Sequence, residues 1–229
     1  MSLVNSTIGK KLWMALTGLF LCVFLIGHLA GNLQLFIPGE AGRLQFNEYA
    51  KFMTSNPVIR ILSIVTFASV ILHVVDAAIL SRKNRAARPV KYNYSKASEN
   101  SLWSSRNMGI LGTLILAFIV LHLSNFWYKT HFGGLELDAN GNKDLYAAVM
   151  FSFDKLWYVV VYVLAMIPIG FHLVHGFQSG FQTLGINHSK YSPLIKKFGL
   201  LFAVIIPVAF ALIPVNLYLG NPIGQLLFN

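Results

Sequence analysis

The chain alternates between long apolar runs and shorter polar segments. Five of the runs come close to the roughly 20 residues that an α-helix needs to cross the hydrocarbon core of a bilayer. The pattern therefore predicts an all-α membrane protein with one transmembrane domain over residues 1–229. The five predicted membrane-spanning helices cover residues of about 11–36, 57–80, 108–128, 156–177 and 198–219.

The composition supports a membrane protein. Hydrophobic residues make up 55% of the chain and charged residues only 11%, less than half of the roughly 25% that a soluble domain carries. The first apolar run continues past the apolar region of a signal peptide and lacks a small-residue cleavage site, so we interpret it as a retained span. Cys22 is the only cysteine, which excludes an internal disulfide bond and an iron–sulfur cluster held by cysteines.

Basic residues are distributed unevenly among the polar segments. We attribute the formal net charge of +10 to the positive-inside rule rather than to nucleic-acid binding, because no soluble basic domain carries it. One side of the predicted bundle collects Lys10, Lys11, Arg82, Lys83, Arg85, Arg88, Lys91, Lys96, Arg106, Lys190, Lys196 and Lys197. The other side collects most of the acidic residues with Arg43, Lys51, Arg60, Lys129, Lys143 and Lys155. The imbalance predicts a cytoplasmic N-terminus and a C-terminus outside.

Four of the five predicted spans contain a histidine: His28, His73, His122 and His172. An imidazole is costly in hydrocarbon unless it is neutral and has a partner, so an intramembrane histidine indicates a functional site. At the helical rise, His28 and His122 lie roughly 25 Å from the cytoplasmic edge, and His73 and His172 roughly 13 Å from it. Two pairs at levels about 12 Å apart are what two bis-histidine haems need. We therefore predict a five-helix bundle that encloses two haems.

The other three histidines, His175, His131 and His188, do not enter these pairs. His175 lies three residues after His172 and shares its helical face, so spacing alone does not choose between them. His131 and His188 fall in polar connections and are not counted as ligands. A single histidine in a span is more often a packing or proton-path residue. The haem interpretation therefore depends on the four occurring together, one per span and paired by depth.

Two glycines and one carboxylate lie close to these histidines. Gly18 and Gly112 each precede a histidine of the outer pair by ten residues, which places them about 15 Å deeper. Their missing side chains would admit a macrocycle or the close approach of another helix. Asp76 follows His73 by one turn, and a carboxylate in a span is costly unless it is paired or protonated. It is a candidate for a hydrogen bond to a haem edge or for a place on a proton path.

The histidine segments resemble those of a known family, the dihaem cytochrome b membrane-anchor subunits of succinate:quinone oxidoreductases. The family includes succinate dehydrogenases and fumarate reductases with one five-helix anchor subunit. The resemblance extends over all five predicted spans, and the Thr17-Gly18 pair also looks like the family's first helix. It is carried by four segments in order: Ile26-Gly27-His28-Leu29, Leu72-His73-Val74, Leu121-His122-Leu123 and Phe171-His172-x-x-x-Gly176.

The resemblance implies which residues would hold the two b haems. His28 and His122 would be the axial ligands of the iron in the outer, distal haem. His73 and His172 would ligate the iron in the inner, proximal haem. In the family the fourth ligand is a histidine followed four residues later by glycine, which favours His172 over His175.

The resemblance also implies a function. The chain would be the membrane anchor and electron-transfer subunit of a succinate dehydrogenase or fumarate reductase in a bacterial cytoplasmic membrane. A flavoprotein and an iron–sulfur subunit would dock on its cytoplasmic face and carry out the dicarboxylate chemistry. Quinone, by implication menaquinone, would be the substrate, and Glu48 in the first external connection would exchange protons with it. Arg82, Lys83 and Arg106 are candidates to pair with haem propionates.

The chain departs from the family pattern in two places, and two other functions are compatible with its sequence. The long external connection between the third and fourth spans and the position of Arg106 leave the quinone and propionate contacts open. The chain could instead be the cytochrome b anchor of a hydrogenase or formate dehydrogenase. Such an anchor would share the bis-histidine spans, but its histidine spacing and span order would not follow the four segments above. The chain could also be a haem-free transporter or proton channel that uses the histidines as a relay. A haem-free protein is colourless when purified, which separates this last function from the others.

Overall fold

The computed structural model describes residues 6–87 and 96–228 of the chain. Helix accounts for 84% of the structure, and the described residues contain no strand, which confirms the all-α fold. Two residues of the predicted basic side, Arg88 and Lys91, lie outside the described residues. The predicted orientation in the membrane stays a prediction.

The helices of the described residues follow one another with short connections. The long helices are α1 (Thr7–Asn32), α3 (Pro57–Ala86), α6 (Met108–His122), α9 (Leu156–Thr183) and α10 (Ser192–Tyr218). Shorter helices connect or follow them: α2 (Gly39–Ser55), α4 (Ala97–Asn100), α5 (Trp103–Arg106), α7 (Tyr128–Phe132), α8 (Leu145–Phe153) and α11 (Pro222–Phe228). A 3₁₀ segment, Leu33–Phe36, prolongs α1, and a π-helical segment, Leu123–Trp127, joins α6 to α7.

Five segments of the described chain are long and apolar enough to cross a membrane, which confirms the predicted number of spans. They are Thr7–Phe36, Pro57–Ala86, Met108–Phe132, Leu156–Thr183 and Ser192–Tyr218. The helices continue beyond several of the predicted ends; the second, for example, ends at Ala86 rather than near Leu80. Helical hydrogen bonds do not require apolar side chains, so a helix extends into the polar residues that follow its apolar middle.

The connection between the first two spans is a helix rather than an open loop. Helix α2 buries Phe46 and Asn47 on one face. It ends at Ser55. The next residue, Asn56, accepts hydrogen bonds through its side chain from the backbone N–H groups of Val58 and Ile59 at the start of α3. Because α2 is largely polar, the pattern of long apolar runs does not predict it. We call the end of the bundle that carries α2 and α8 the outer end, and the opposite end the inner end.

Helix α1 packs against three other membrane-spanning helices, α3, α9 and α10. Helices α10 and α6 both pack against α9. A Cβ added to Gly199 would lie 2.7 Å from the Phe177 ring, so this glycine permits the close contact of α9 and α10. Helix α10 contains no histidine and buries Phe202, Ala203 and Ile206, as expected of a structural helix.

Candidate functional site

The four intramembrane histidines form two facing pairs. The rings of His28 on α1 and His122 at the end of α6 have centroids 5.7 Å apart and planes at 88°. The rings of His73 on α3 and His172 on α9 have centroids 6.1 Å apart and planes at 63°. The structure therefore brings together the same pairs that the depth argument predicted. Their role as haem ligands stays a prediction.

The two pairs lie at different levels of the bundle. Their separation can be measured along the axis of α1, which contacts both pairs. Thr17 on α1 contacts His73, with 3.2 Å between the threonine Oγ1 and the imidazole Nδ1. His28 follows eleven residues later on the same helix. At 1.5 Å per residue these positions are about 16 Å apart along the helix axis. The inner pair is thus well separated from the outer pair.

Aromatic side chains surround the outer pair. Phe24 stacks on His28 with ring centroids 5.3 Å apart, and Phe210 of α10 lies 5.6 Å from the same ring. Phe118 and Phe126 lie 5.9 Å and 5.5 Å from the ring of His122. Such a wall is apolar and fits the flat, apolar body of a macrocycle.

A small set of polar side chains also reaches the outer pair. The Tyr162 hydroxyl lies 3.5 Å from His122 Nδ1. In the π-helical segment directly after His122, the buried Asn125 accepts a hydrogen bond of 2.9 Å from the Tyr158 hydroxyl. Its Nδ2 has no hydrogen-bond partner among the described residues. A π-helical turn re-aims the side chains that follow it and often occurs at functional sites. No sequence signal pointed to Asn125.

The inner pair involves His172 and not His175. Within the described residues, the ring of His73 contacts that of His172. The buried Nδ1 of His172 has no hydrogen-bond partner there. An unpaired buried polar atom is uncommon and calls for an explanation such as an absent ligand or ion. His175 is half-buried on the same helix and makes no such ring contact. His131 and His188 are exposed. His131 lies on α7 and not in a polar connection as predicted, because the third helical segment continues to Phe132.

The donor set of each pair fits a haem. Two imidazole nitrogens that bind one metal ion at about 2 Å each have ring centroids roughly 6 Å apart, which matches both observed separations. In the described part of the chain, no group of three or more His, Cys, Asp or Glu side chains converges. A haem supplies four nitrogens of its own and needs only two axial ligands from the protein. Two imidazoles per level are therefore suited to haem.

Gly18 and Gly112, each ten residues before a histidine of the outer pair, differ in their surroundings. A Cβ added to Gly18 would lie 3.1 Å from Cε1 of His73, whereas a Cβ added to Gly112 would meet no heavy atom within 4 Å. Gly18 thus allows the inner imidazole to lie against α1. The space beside Gly112 is not taken by another helix, so a close helix contact does not explain that glycine.

Asp76 has a basic partner. Its Oδ1 lies 3.0 Å from Nζ of Lys10, and both side chains are largely buried. The ion pair joins α3 to α1 one turn from His73. It explains how a carboxylate is tolerated in a membrane-spanning helix, because pairing offsets the cost of desolvation. The sequence identified Asp76 as unusual but did not identify Lys10 as its partner.

Glu48 and the basic propionate candidates lie at the surface. Glu48 is exposed on α2, and no described residue forms an ion pair or hydrogen bond with its carboxylate. Arg82 and Lys83 are exposed near the end of α3. Arg106 donates a hydrogen bond to the carbonyl oxygen of Ser101. These observations do not test whether Glu48 exchanges protons with quinone or whether the three basic residues pair with haem propionates.

A buried polar network closes the outer end, and the sequence analysis did not predict it. Arg43 of α2 donates to Asp144 at 2.9 Å and 2.5 Å, and Asn47 donates to both Asp138 and Asp144. Burial raises the pKa of Asp144, but the hydrogen bonds from Arg43, Ala147 and Asn47 outweigh it and leave the pKa below its ordinary value. The network fixes α2 to the connection between α7 and α8.

Comparison of the chain with models of protein families, with curated proteins and with solved structures gives no match.

Proposed function

We propose that the chain is the membrane-anchor and electron-transfer subunit of a succinate dehydrogenase or fumarate reductase. His28 with His122, and His73 with His172, would hold two b haems between an iron–sulfur subunit and membrane quinone. Haem supplies one-electron transfer when it is bound. The observation that carries the proposal is the presence of two facing imidazole pairs, at two levels, contributed by four separate membrane-spanning helices.

The surroundings of the pairs support this function. The aromatic wall around His28 and His122 provides an apolar environment, which together with axial ligation is one of the means by which a protein tunes haem. The Nδ1 atoms of His73 and His122 lie near hydroxyl groups, those of Thr17 and Tyr162. Metal-ligating histidines commonly place their second nitrogen beside such a group, which holds the ring in one orientation.

The inner end is suited to bind partner subunits. Arg82, Lys83, Lys196 and Lys197 are exposed there, and these residues belong to the side that the positive-inside rule assigns to the cytoplasm. The chain itself has one cysteine and no nucleotide-binding glycine motif. The flavin and iron–sulfur chemistry would therefore reside in a flavoprotein and an iron–sulfur subunit docked on this face.

At the outer end, Glu48 is our candidate for the proton-exchanging group of the quinone reaction. Its exposed carboxylate on α2 can exchange protons with water, and a quinone near the outer histidine pair would need such a group within reach. Menaquinone is the quinone that the family resemblance implies, and a bacterial cytoplasmic membrane is the location that it implies.

Haem content tests the proposal directly. We expect the purified wild-type protein to show a dithionite-reduced minus oxidised spectrum of b haem, with two haems per chain by pyridine haemochrome. His172→Ala should retain one haem. His175→Ala is the matched control, because it removes an imidazole from the same helix, and it should retain two.

Three results would contradict parts of this proposal. A colourless wild-type protein would refute the haem function and favour a transporter or proton channel. Loss of one haem in His175→Ala with two retained in His172→Ala would reverse the ligand assignment. In native membranes, succinate should reduce the haems; reduction by formate or hydrogen but not succinate would favour the anchor of another oxidoreductase.

A further inference from the structure

The direction of the contact between Thr17 and His73 follows from the other hydrogen bonds of the threonine hydroxyl. Thr17 is buried, and its hydroxyl lies 2.8 Å from the Trp13 carbonyl oxygen and 3.2 Å from that of Met14. A carbonyl oxygen can only accept, so the single hydroxyl hydrogen is directed to the backbone of the preceding turn. The hydroxyl oxygen is then left to accept a hydrogen bond from His73 Nδ1, 3.2 Å away.

This direction corresponds to one tautomer of the ring. A neutral imidazole carries one N–H, and if Nδ1 donates to Thr17, the lone pair is on Nε2. Nε2 is then the nitrogen that is free to bind a metal ion. The partner of the second nitrogen fixes both the tautomer and the ring orientation of a ligating histidine.

The neighbouring contacts hold α1 and α3 in the register that this hydrogen bond requires. Gly18, next to Thr17, lets the ring approach α1, since an added Cβ would lie 3.1 Å from its Cε1. One turn away on α3, Asp76 pairs with Lys10 of α1 at 3.0 Å. At the outer pair, the corresponding contact from Tyr162 to His122 is longer, at 3.5 Å.

We propose that Thr17 is a positioning residue for His73 that orients the imidazole and lowers the midpoint potential of the inner haem. This inference rests on the proposed function. A ligand whose N–H donates a hydrogen bond is a stronger electron donor and favours the oxidised iron. Removing the Thr17 oxygen therefore weakens this donation, raises the potential of the inner haem and leaves the outer haem unchanged.

Potentiometric titration of the visible spectrum tests this role in Thr17→Val and Thr17→Ser. Valine keeps the size of the side chain but removes the acceptor oxygen, whereas serine keeps the oxygen. Loss of a group that supports a metal ligand commonly changes affinity about tenfold. A tenfold change in the ratio of reduced to oxidised inner haem at a fixed potential corresponds to a shift of about 59 mV for one electron. His172→Ala, with only the outer haem, identifies which transition belongs to which site.

We expect Thr17→Val to retain two haems with the inner potential raised by about that amount, and Thr17→Ser to titrate like the wild type. Loss of the inner haem from Thr17→Val alone would also support the role, since serine retains it. Unchanged potentials in Thr17→Val, or equal shifts in the valine and serine variants, would overturn the inference. A wild-type protein with fewer than two haems would refute the proposed function instead, and haem content therefore separates the two failures.

Discussion

Replacing Asp76 with asparagine breaks the ion pair that joins α3 to α1 at the inner end. The two side chains are 18% and 11% exposed, with 3.0 Å between Lys10 Nζ and Asp76 Oδ1. Breaking a fully buried pair costs about 3–5 kcal/mol, whereas an exposed pair contributes about 0–1 kcal/mol. Lys10 lies near the start of α1 and can extend its ammonium group toward the interface. We therefore expect Asp76→Asn to lower the free energy of unfolding by about 2 kcal/mol.

A double-mutant cycle isolates the pair from other effects of the substitution. Lys10→Met leaves Asp76 without its cation and should destabilise by a similar amount. The double variant should be less destabilised than the sum of the two single variants, with a coupling energy of about 1.5 kcal/mol. Lys11→Met is the control, because Lys11 is exposed on the same turn; its effect should stay within about 0.5 kcal/mol.

Equilibrium unfolding in mixed micelles measures these differences. The purified variants are titrated with sodium dodecyl sulfate at neutral pH, and the loss of the helical circular dichroism signal gives the free energy of unfolding. A coupling energy below about 0.5 kcal/mol would refute the pairing. So would equal effects of Lys10→Met and Lys11→Met. Asp76 would then again be a candidate for a haem-edge contact or a proton path.

Three further predictions concern the outer end and the glycines. The pKa of Asp144 is held below its ordinary value of 3.8. Its pairing with Arg43 therefore stabilises the fold above pH 3.8, and this stabilisation is lost as the pH falls through the lower folded-state pKa. In an unfolding titration, Asp144→Asn should lower the free energy of unfolding by about 1–3 kcal/mol at neutral pH and not at all in stronger acid. Gly18→Val should displace the inner imidazole and lose one haem by pyridine haemochrome. Gly109→Val, at an exposed glycine where an added Cβ meets no heavy atom within 4 Å, should retain two; equal losses would contradict the structure. Glu48→Gln should retain both haems and slow quinone turnover about 10²–10⁴-fold, and unchanged turnover would exclude Glu48 as the proton group.

The membrane-spanning helices and the pairing of the histidines by depth were accessible from the sequence. A span must satisfy its backbone hydrogen bonds internally over a fixed thickness of hydrocarbon, so length and hydropathy identify it. The rise per residue of a helix is constant, so the distance of His28, His73, His122 and His172 from basic residues at the span ends ranks their depths. The sequence therefore predicted which histidines share a level.

The tertiary structure decided which side chains touch at each level. Spacing along α9 left His172 and His175 equivalent, and only the packing of α3 against α1 directs His73 toward one of them. The partners of Asp76 and of Thr17 are on another helix, so no local pattern contains them. The outer network joins Arg43 to Asp144, 101 positions apart. Such contacts depend on how helices rotate and pack, whereas hydropathy and helical rise report only where each helix crosses and how deep its residues lie.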